Sequence, residues 1–204
     1  MHLEILDSKQ LEIFLKLRAF DSDGFYLVGG TALALQLGHR KSIDLDLFNR
    51  EDLNIEAIKR KLNKNQIRVD SVLVDSLEGF TFISEGVKVT FLTYLYNIKP
   101  SIIDNKFIKI LDPLNIASMK VYAIGRRSKW KDYIDLMYLI KGFGFSEIED
   151  HSRKVFGNLF NSKLFREQLV YFKDIDYSEA VNFMPGFEVS DSEVEKFLES
   201  VAVL

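Results

Sequence analysis

The chain has 204 residues, 47% of them hydrophobic, and carries 27 Lys and Arg against 30 Asp and Glu for a net charge of −3. That length sustains one sizeable core, or an α/β core with a helical annex, and the mild acidity argues against broad electrostatic binding of nucleic acid while allowing a local basic patch. Without cysteine there can be no disulfide, thiolate metal site or thiol nucleophile; with no apolar run near the roughly 18 residues of a membrane span and no signal-peptide pattern in residues 1–10, a soluble cytoplasmic protein that avoids membranes is expected.

Ser8 is the expected N-cap of a first helix whose apolar residues are Leu11, Phe14, Leu15, Leu17 and Ala19. Phe25-Tyr26-Leu27-Val28 then reads as a buried strand, stopped by Gly29-Gly30 before the helix-forming run that begins at Thr31. Two glycines let a ligand approach the backbone, and the free N–H groups of a helix start favour an anion, so Gly29, Gly30 and Thr31 form a candidate phosphate turn. Gly38 ends the helix, and the basic cluster His39-Arg40-Lys41 leads into Ser42-Ile43-Asp44-Leu45-Asp46-Leu47-Phe48.

This last run alternates strictly. In a strand, Asp44 and Asp46 share one face while Ile43, Leu45 and Leu47 take the other. Carboxylates roughly 7 Å apart along a strand can converge on one hard cation. Mg²⁺ is commonly held by one or two carboxylates together with substrate phosphates, so a phosphate turn followed by D-x-D suits a metal–nucleotide site. Each feature alone has a bland reading, as a tight turn or a solvated edge strand. Their succession, with basic residues between, favours phosphoryl or nucleotidyl transfer.

Residues 53–62 recur at helical spacing, and residues 67–74, 79–83, 87–96 and 107–111 read as strands, with Ser84-Glu85-Gly86 as a turn. Asp112-Pro113 supplies an N-cap and a first-turn proline, and from there helices are expected over 114–124, 131–141, 146–156, 162–172 and 190–201. The expected fold class is therefore α+β, with a sheet-bearing core over 1–111 and a helical part over 112–204. A cleft between the two is the natural place for a site.

A second constellation lies in the helical part. Lys120 and Arg127 are seven apart, on one face if the helix persists through Gly125, and Asp132 and Asp135 share a face at i, i+3 after Lys131. By charge alone this is most simply a surface ion-pair network of little energetic weight. The three histidines give little direction: His39 beside Arg40 is a candidate nucleotide contact, while His2 and His151 lie in unpatterned surroundings. Tyr94 or Tyr96 could stack on a base.

The residues Gly29-Gly30-Thr31-Ala32-Leu33, then His39-Arg40-x-Ser42-x-Asp44-x-Asp46-Leu47-Phe48, resemble the first motif of the AbiEii/AbiGii toxin-like nucleotidyltransferases, a branch of the polymerase β-like superfamily. The resemblance continues through Lys120, Arg127, Lys131, Asp132 and Asp135. It implies a mixed nucleotidyltransferase-type sheet flanked by helices, Mg²⁺ as cofactor, and transfer of a nucleoside monophosphate from an NTP to a hydroxyl of an RNA, a protein or a small molecule. It also implies a cognate antitoxin as partner. On that footing Asp44 and Asp46 hold metal. Gly29, Gly30, Thr31, His39, Arg40, Ser42 and Lys131 belong to the nucleotide site. Lys120 and Arg127 take the distal phosphates, and Asp132 and Asp135 orient those cations or supply the base.

One departure stands out. Enzymes of this superfamily carry a third carboxylate on a later strand, yet Val87-Lys88-Val89-Thr90-Phe91 puts Lys88 and Thr90 on the face where it would stand. One tightly bound Mg²⁺ is therefore expected, with Lys88 a candidate phosphate contact. The rival readings are a catalytically weak nucleotide-binding or interaction module on the same fold, and a metal-dependent phosphohydrolase.

Overall fold

The computed structural model describes residues 1–96, 98, 100, 106–124, 126 and 129–203, which divide into two units, Met1–Asp112 and Pro113–Leu204. Period-two alternation builds the first around a five-stranded mixed sheet. Its strands are β1 (Tyr26–Val28), β2 (Asp44–Asn49), β3 (Ser71–Asp75), β4 (Gly79–Ser84) and β5 (Val87–Thr93), in the spatial order β1-β2-β5-β4-β3. Strand β2 runs antiparallel to β1 and parallel to β5, while β3, β4 and β5 form an antiparallel meander. Glu85 and Gly86 both adopt positive φ between paired Ser84 and Val87, the conformation that tight hairpins favour.

The inner face of the sheet is a layer of Leu45, Leu47, Phe80, Phe82, Val89 and Phe91, all fully buried. Phe91 meets Phe20 and Phe25 at ring-centroid distances of 4.8 and 5.0 Å. Helix α1 (Ser8–Leu17) buries Ile13, Phe14 and Leu17, but Leu15 is exposed, so its apolar stripe is rotated from the expected one. Its N-cap is Asp7 rather than Ser8, because Asp7 and Gln10 exchange bonds in a capping box. Helix α2 (Gly29–Leu37) follows β1 directly and ends at Gly38, whose φ of 68° is the left-handed turn expected of it. Helix α3 (Ile55–Lys64) is capped by Asn54.

Several expected bounds shift. The strand expected over 67–74 begins only at Ser71, because Gln66 takes a positive φ and Ile67 turns into the core before the ladder starts. The strand expected over 87–96 stops at Thr93. Residues 107–111 form no strand: Ile110 makes one isolated bridge to Leu27, bracketed by bonds from Leu27 N–H to the Lys109 carbonyl and from Leu111 N–H to the Leu27 carbonyl. Strand β1 is only three residues long and offers no longer template.

The second unit consists of α4 (Pro113–Ile124), α5 (Trp130–Phe143), α6 (Phe145–Phe156), α7 (Ser162–Leu169) and α8 (Asp191–Ala202). Helix α4 packs against α5, α6 and α7, and α8 against α5 and α7. The helix expected over 162–172 ends at Leu169.

Candidate active site

The protein's own side chains crowd the two glycines after β1. Gly29 has φ +74°, and a Cβ there would lie 3.0 Å from Asp46 Oδ2. A Cβ on Gly30 would lie 2.6 Å from Arg40 Nη2 and 3.3 Å from Ser42 Oγ. The space that the sequence suggests for a ligand is thus lined by a carboxylate on one side and a guanidinium on the other. Strand pairing accounts for the first: Val28, the last residue of β1, stands opposite Asp46 on β2.

Thr31 is only 2% exposed. Its hydroxyl bonds to the Asp44 backbone carbonyl and, at 2.8 Å, to the Ser42 hydroxyl. Rather than a loose phosphate ligand, Thr31 is a tie between the first turn of α2 and the start of β2. Gln10 adds a second tie from α1, donating to the Ser42 carbonyl at 2.9 Å. This positioning role was missed in the sequence; the Asp7-x-x-Gln10 spacing signals the cap but not the long-range bond.

On the open face of the sheet Asp44 and Asp46 point the same way, both half-buried, while Leu45 and Leu47 fill the core. Parallel pairing sets Lys88 beside Asp44 and Thr90 beside Asp46. Lys88 Nζ lies 2.8 Å from Asp44 Oδ2, with the two side chains 41% and 20% exposed. Thr90 approaches Thr81 of β4, hydroxyl to hydroxyl, at 3.4 Å. None of the β5 residues on this face, Lys88, Thr90 and Leu92, is acidic.

His39 is fully buried and its ring has no surface to offer a nucleotide. Arg40 is 4% exposed, and its Nη1 donates to the Lys41 carbonyl at 3.0 Å. Tyr94 packs against Phe48 and Tyr96 with centroids 4.9 and 5.0 Å apart. These two tyrosines, with Leu92 and Leu77, line an open groove of about 610 Å³ at the end of β5.

The constellation in the helical unit is a buried cluster and not a surface network. Lys120 Nζ lies 2.6 Å from Asp132 Oδ1 and 2.6 Å from Asp135 Oδ2, and the three side chains are at most 5% exposed. The ammonium expected to reach for distal phosphates is enclosed by two carboxylates. Burial, aided by the Asp132 charge, pushes the neighbouring Tyr133 hydroxyl up to about 12. Lys131 bonds to Glu179, which also holds Lys129. Those hydrogen bonds draw the Glu179 carboxyl down to about 2. Arg127 lies outside the described residues.

Residues 13–199 match the family described as nucleotidyl transferase AbiEii toxin, type IV toxin–antitoxin system. An uncharacterized protein of Aquifex aeolicus (strain VF5) is 32% identical over 182 residues, covering 86% of this chain and 84% of that protein. Among solved structures, JHP933 from Helicobacter pylori superposes with a TM-score of 0.61 at 17% identity, covering 98% of this chain and 91% of that one. MenT4, a nucleotidyltransferase toxin from Mycobacterium tuberculosis H37Rv, does so with a TM-score of 0.57 at 12% identity, covering 96% and 84%.

Proposed function

The chain belongs to the AbiEii nucleotidyltransferase toxin family, and from that membership and the geometry around Asp46 we propose that it moves a nucleoside monophosphate from an NTP to an acceptor hydroxyl with the help of Mg²⁺. The observation that carries this reading is the approach of the α2 start to the D-x-D strand, with Gly29 directly against Asp46. Backbone N–H groups at a helix start favour phosphate, and carboxylates beside them favour a cation bridging to it.

The donor set suits a hard divalent ion. Asp44 and Asp46 offer oxygen ligands from one strand face. Among the described residues no group of three or more His, Asp or Glu side chains could hold a metal. The remaining ligands would come from the triphosphate, as is usual for Mg²⁺. When bound, that ion would neutralise charge on the phosphates during transfer. Lys88 adds positive charge beside Asp44, Arg40 adds it beside Gly30, and Thr31, Ser42 and Gln10 hold the strand in place.

In the helical unit the Lys120–Asp132–Asp135 cluster is assigned a positioning role. With its ammonium enclosed, Lys120 holds the two carboxylates in fixed rotamers. The acceptor is a hydroxyl of an RNA, a protein or a small molecule, and the type IV toxin–antitoxin description of the family supports a cognate antitoxin as partner. A cytoplasmic location is part of this proposal, since NTPs are available there. No helix among the described residues is long and apolar enough to cross a membrane.

The test is incubation with each α-labelled NTP and Mg²⁺, in the presence of cell RNA or lysate. Label transferred to a macromolecule or a small acceptor supports the reading and identifies the acceptor. Binding without transfer would instead indicate a nucleotide-binding module. Phosphate release without transfer would indicate a phosphohydrolase.

A further inference from the structure

The β2/β5 pairing places an ammonium beside the acidic face of β2. Lys88 is the register partner of Asp44 and lies 2.8 Å from its Oδ2. Thr90 is the register partner of Asp46. The open face at this point therefore presents two carboxylates, one ammonium and one hydroxyl. A site for two divalent ions needs carboxylate oxygens that bridge or flank both. Here one oxygen of Asp44 is already bonded to a cation.

Stability does not account for this lysine. The pair is partly exposed, and ion pairs of that kind contribute little to folding. Its effect on other cations is larger in principle, because a divalent ion close to a fixed ammonium meets direct repulsion that water only partly screens. We propose that Lys88 stands in for a second metal ion: it neutralises Asp44 from the β5 side and limits the site to one divalent cation. Lys88 acts through Asp44 and is a positioning residue. The inference rests on the nucleotidyl-transfer reading, since it takes Asp44 and Asp46 as the metal ligands.

The experiment counts ions rather than turnover. Mn²⁺ bound per chain is measured by electron paramagnetic resonance and calorimetry, with a non-hydrolysable NTP analogue present. The wild-type protein is expected to bind one Mn²⁺, and Lys88→Asp, which introduces a carboxylate at this register, two. Should Lys88→Asp fail to fold, Lys88→Met serves: loss of the ammonium is expected to tighten nucleotide-free Mn²⁺ binding by about fivefold or more. Two Mn²⁺ on the wild type, or a Lys88→Met variant with unchanged Mn²⁺ affinity, would overturn the role of Lys88 and leave the nucleotidyl-transfer reading intact. No Mn²⁺ on the wild type with any nucleotide analogue would overturn both.

Discussion

Gly29 leaves Asp46 its place: a Cβ on Gly29 would stand 3.0 Å from Asp46 Oδ2 and 3.9 Å from Asp46 Cβ. The glycine also has φ +74°, a conformation that costs other L-residues about 1–2 kcal/mol. Gly29→Ala is thus expected to lower stability by about that amount and to turn the Asp46 carboxylate away from its present position. A thermal melt gives the first effect and a Mn²⁺–nucleotide titration the second. A variant that melts lower but binds metal and nucleotide as the wild type does would show that the contact matters only to folding.

Asp44→Asn and Asp46→Asn should each abolish most Mg²⁺-dependent nucleotide binding while changing stability little. Both side chains are half-buried on the open face of the sheet, and neither fills the core. An amide keeps the shape and removes the charge that a hard cation requires. Calorimetric titration of NTP with and without Mg²⁺ decides the matter. Retention of wild-type affinity in both variants would remove these residues from the site.

The two lysine–aspartate contacts should behave oppositely under unfolding. Lys120→Met strands two buried carboxylates and is expected to cost about 3–5 kcal/mol. Lys88→Met breaks a partly exposed pair and is expected to change stability by less than about 1 kcal/mol. Urea denaturation of both variants measures the contrast. Equal losses would show that burial does not set the contribution of these pairs.

Acid should weaken the helical unit through Glu179. Hydrogen bonds from Lys129 and then Lys131 draw its carboxyl from 4.5 down to about 2. Because the folded carboxylate binds its proton less tightly than the unfolded one, its contribution is complete above about 4.5 and is lost as the pH falls toward 2. Asp176 adds to the same slope: hydrogen bonds from Ser178, and then from Lys129, lower it from 3.8 to about 2. Denaturant midpoints compared at about pH 6 and about pH 3 should fall less in Glu179→Gln than in the wild type. Parallel curves would show that Glu179 carries none of the acid sensitivity.

Much of the acidic face of β2 was legible in the sequence, because it rests on local geometry. Strict alternation from Ser42 to Phe48 settles that Asp44 and Asp46 share a face with Leu45 and Leu47 behind them. The same rule puts Lys88 and Thr90 on one face of their strand. Positive φ at Gly38 and Gly86 follows from a residue type that tolerates it, whereas the positive φ of Glu85 is imposed by the hairpin. The α+β class was readable from the change of period from two to 3.6 after Pro113, while the mixed sheet was implied only by the family resemblance.

Partners across the chain were not legible, because periodicity fixes which way a side chain points but not which strand lies beside it. Parallel pairing of β2 with β5 brings Lys88 to Asp44, and the β1 register brings Gly29 to Asp46. Burial is likewise a sum over the whole environment: His39, Arg40 and Lys120 are polar residues that composition places outside, and the fold encloses all three. Thr31 shows the same division. Its hydroxyl is available in the sequence for phosphate, and only the crossing of the α2 start over the β2 start commits it to the Asp44 carbonyl and Ser42. The sequence by itself determined the facing of the acidic and basic residues, through the two-residue repeat of a strand. Tertiary structure alone decided which charges meet, since that depends on contacts between segments far apart in the chain.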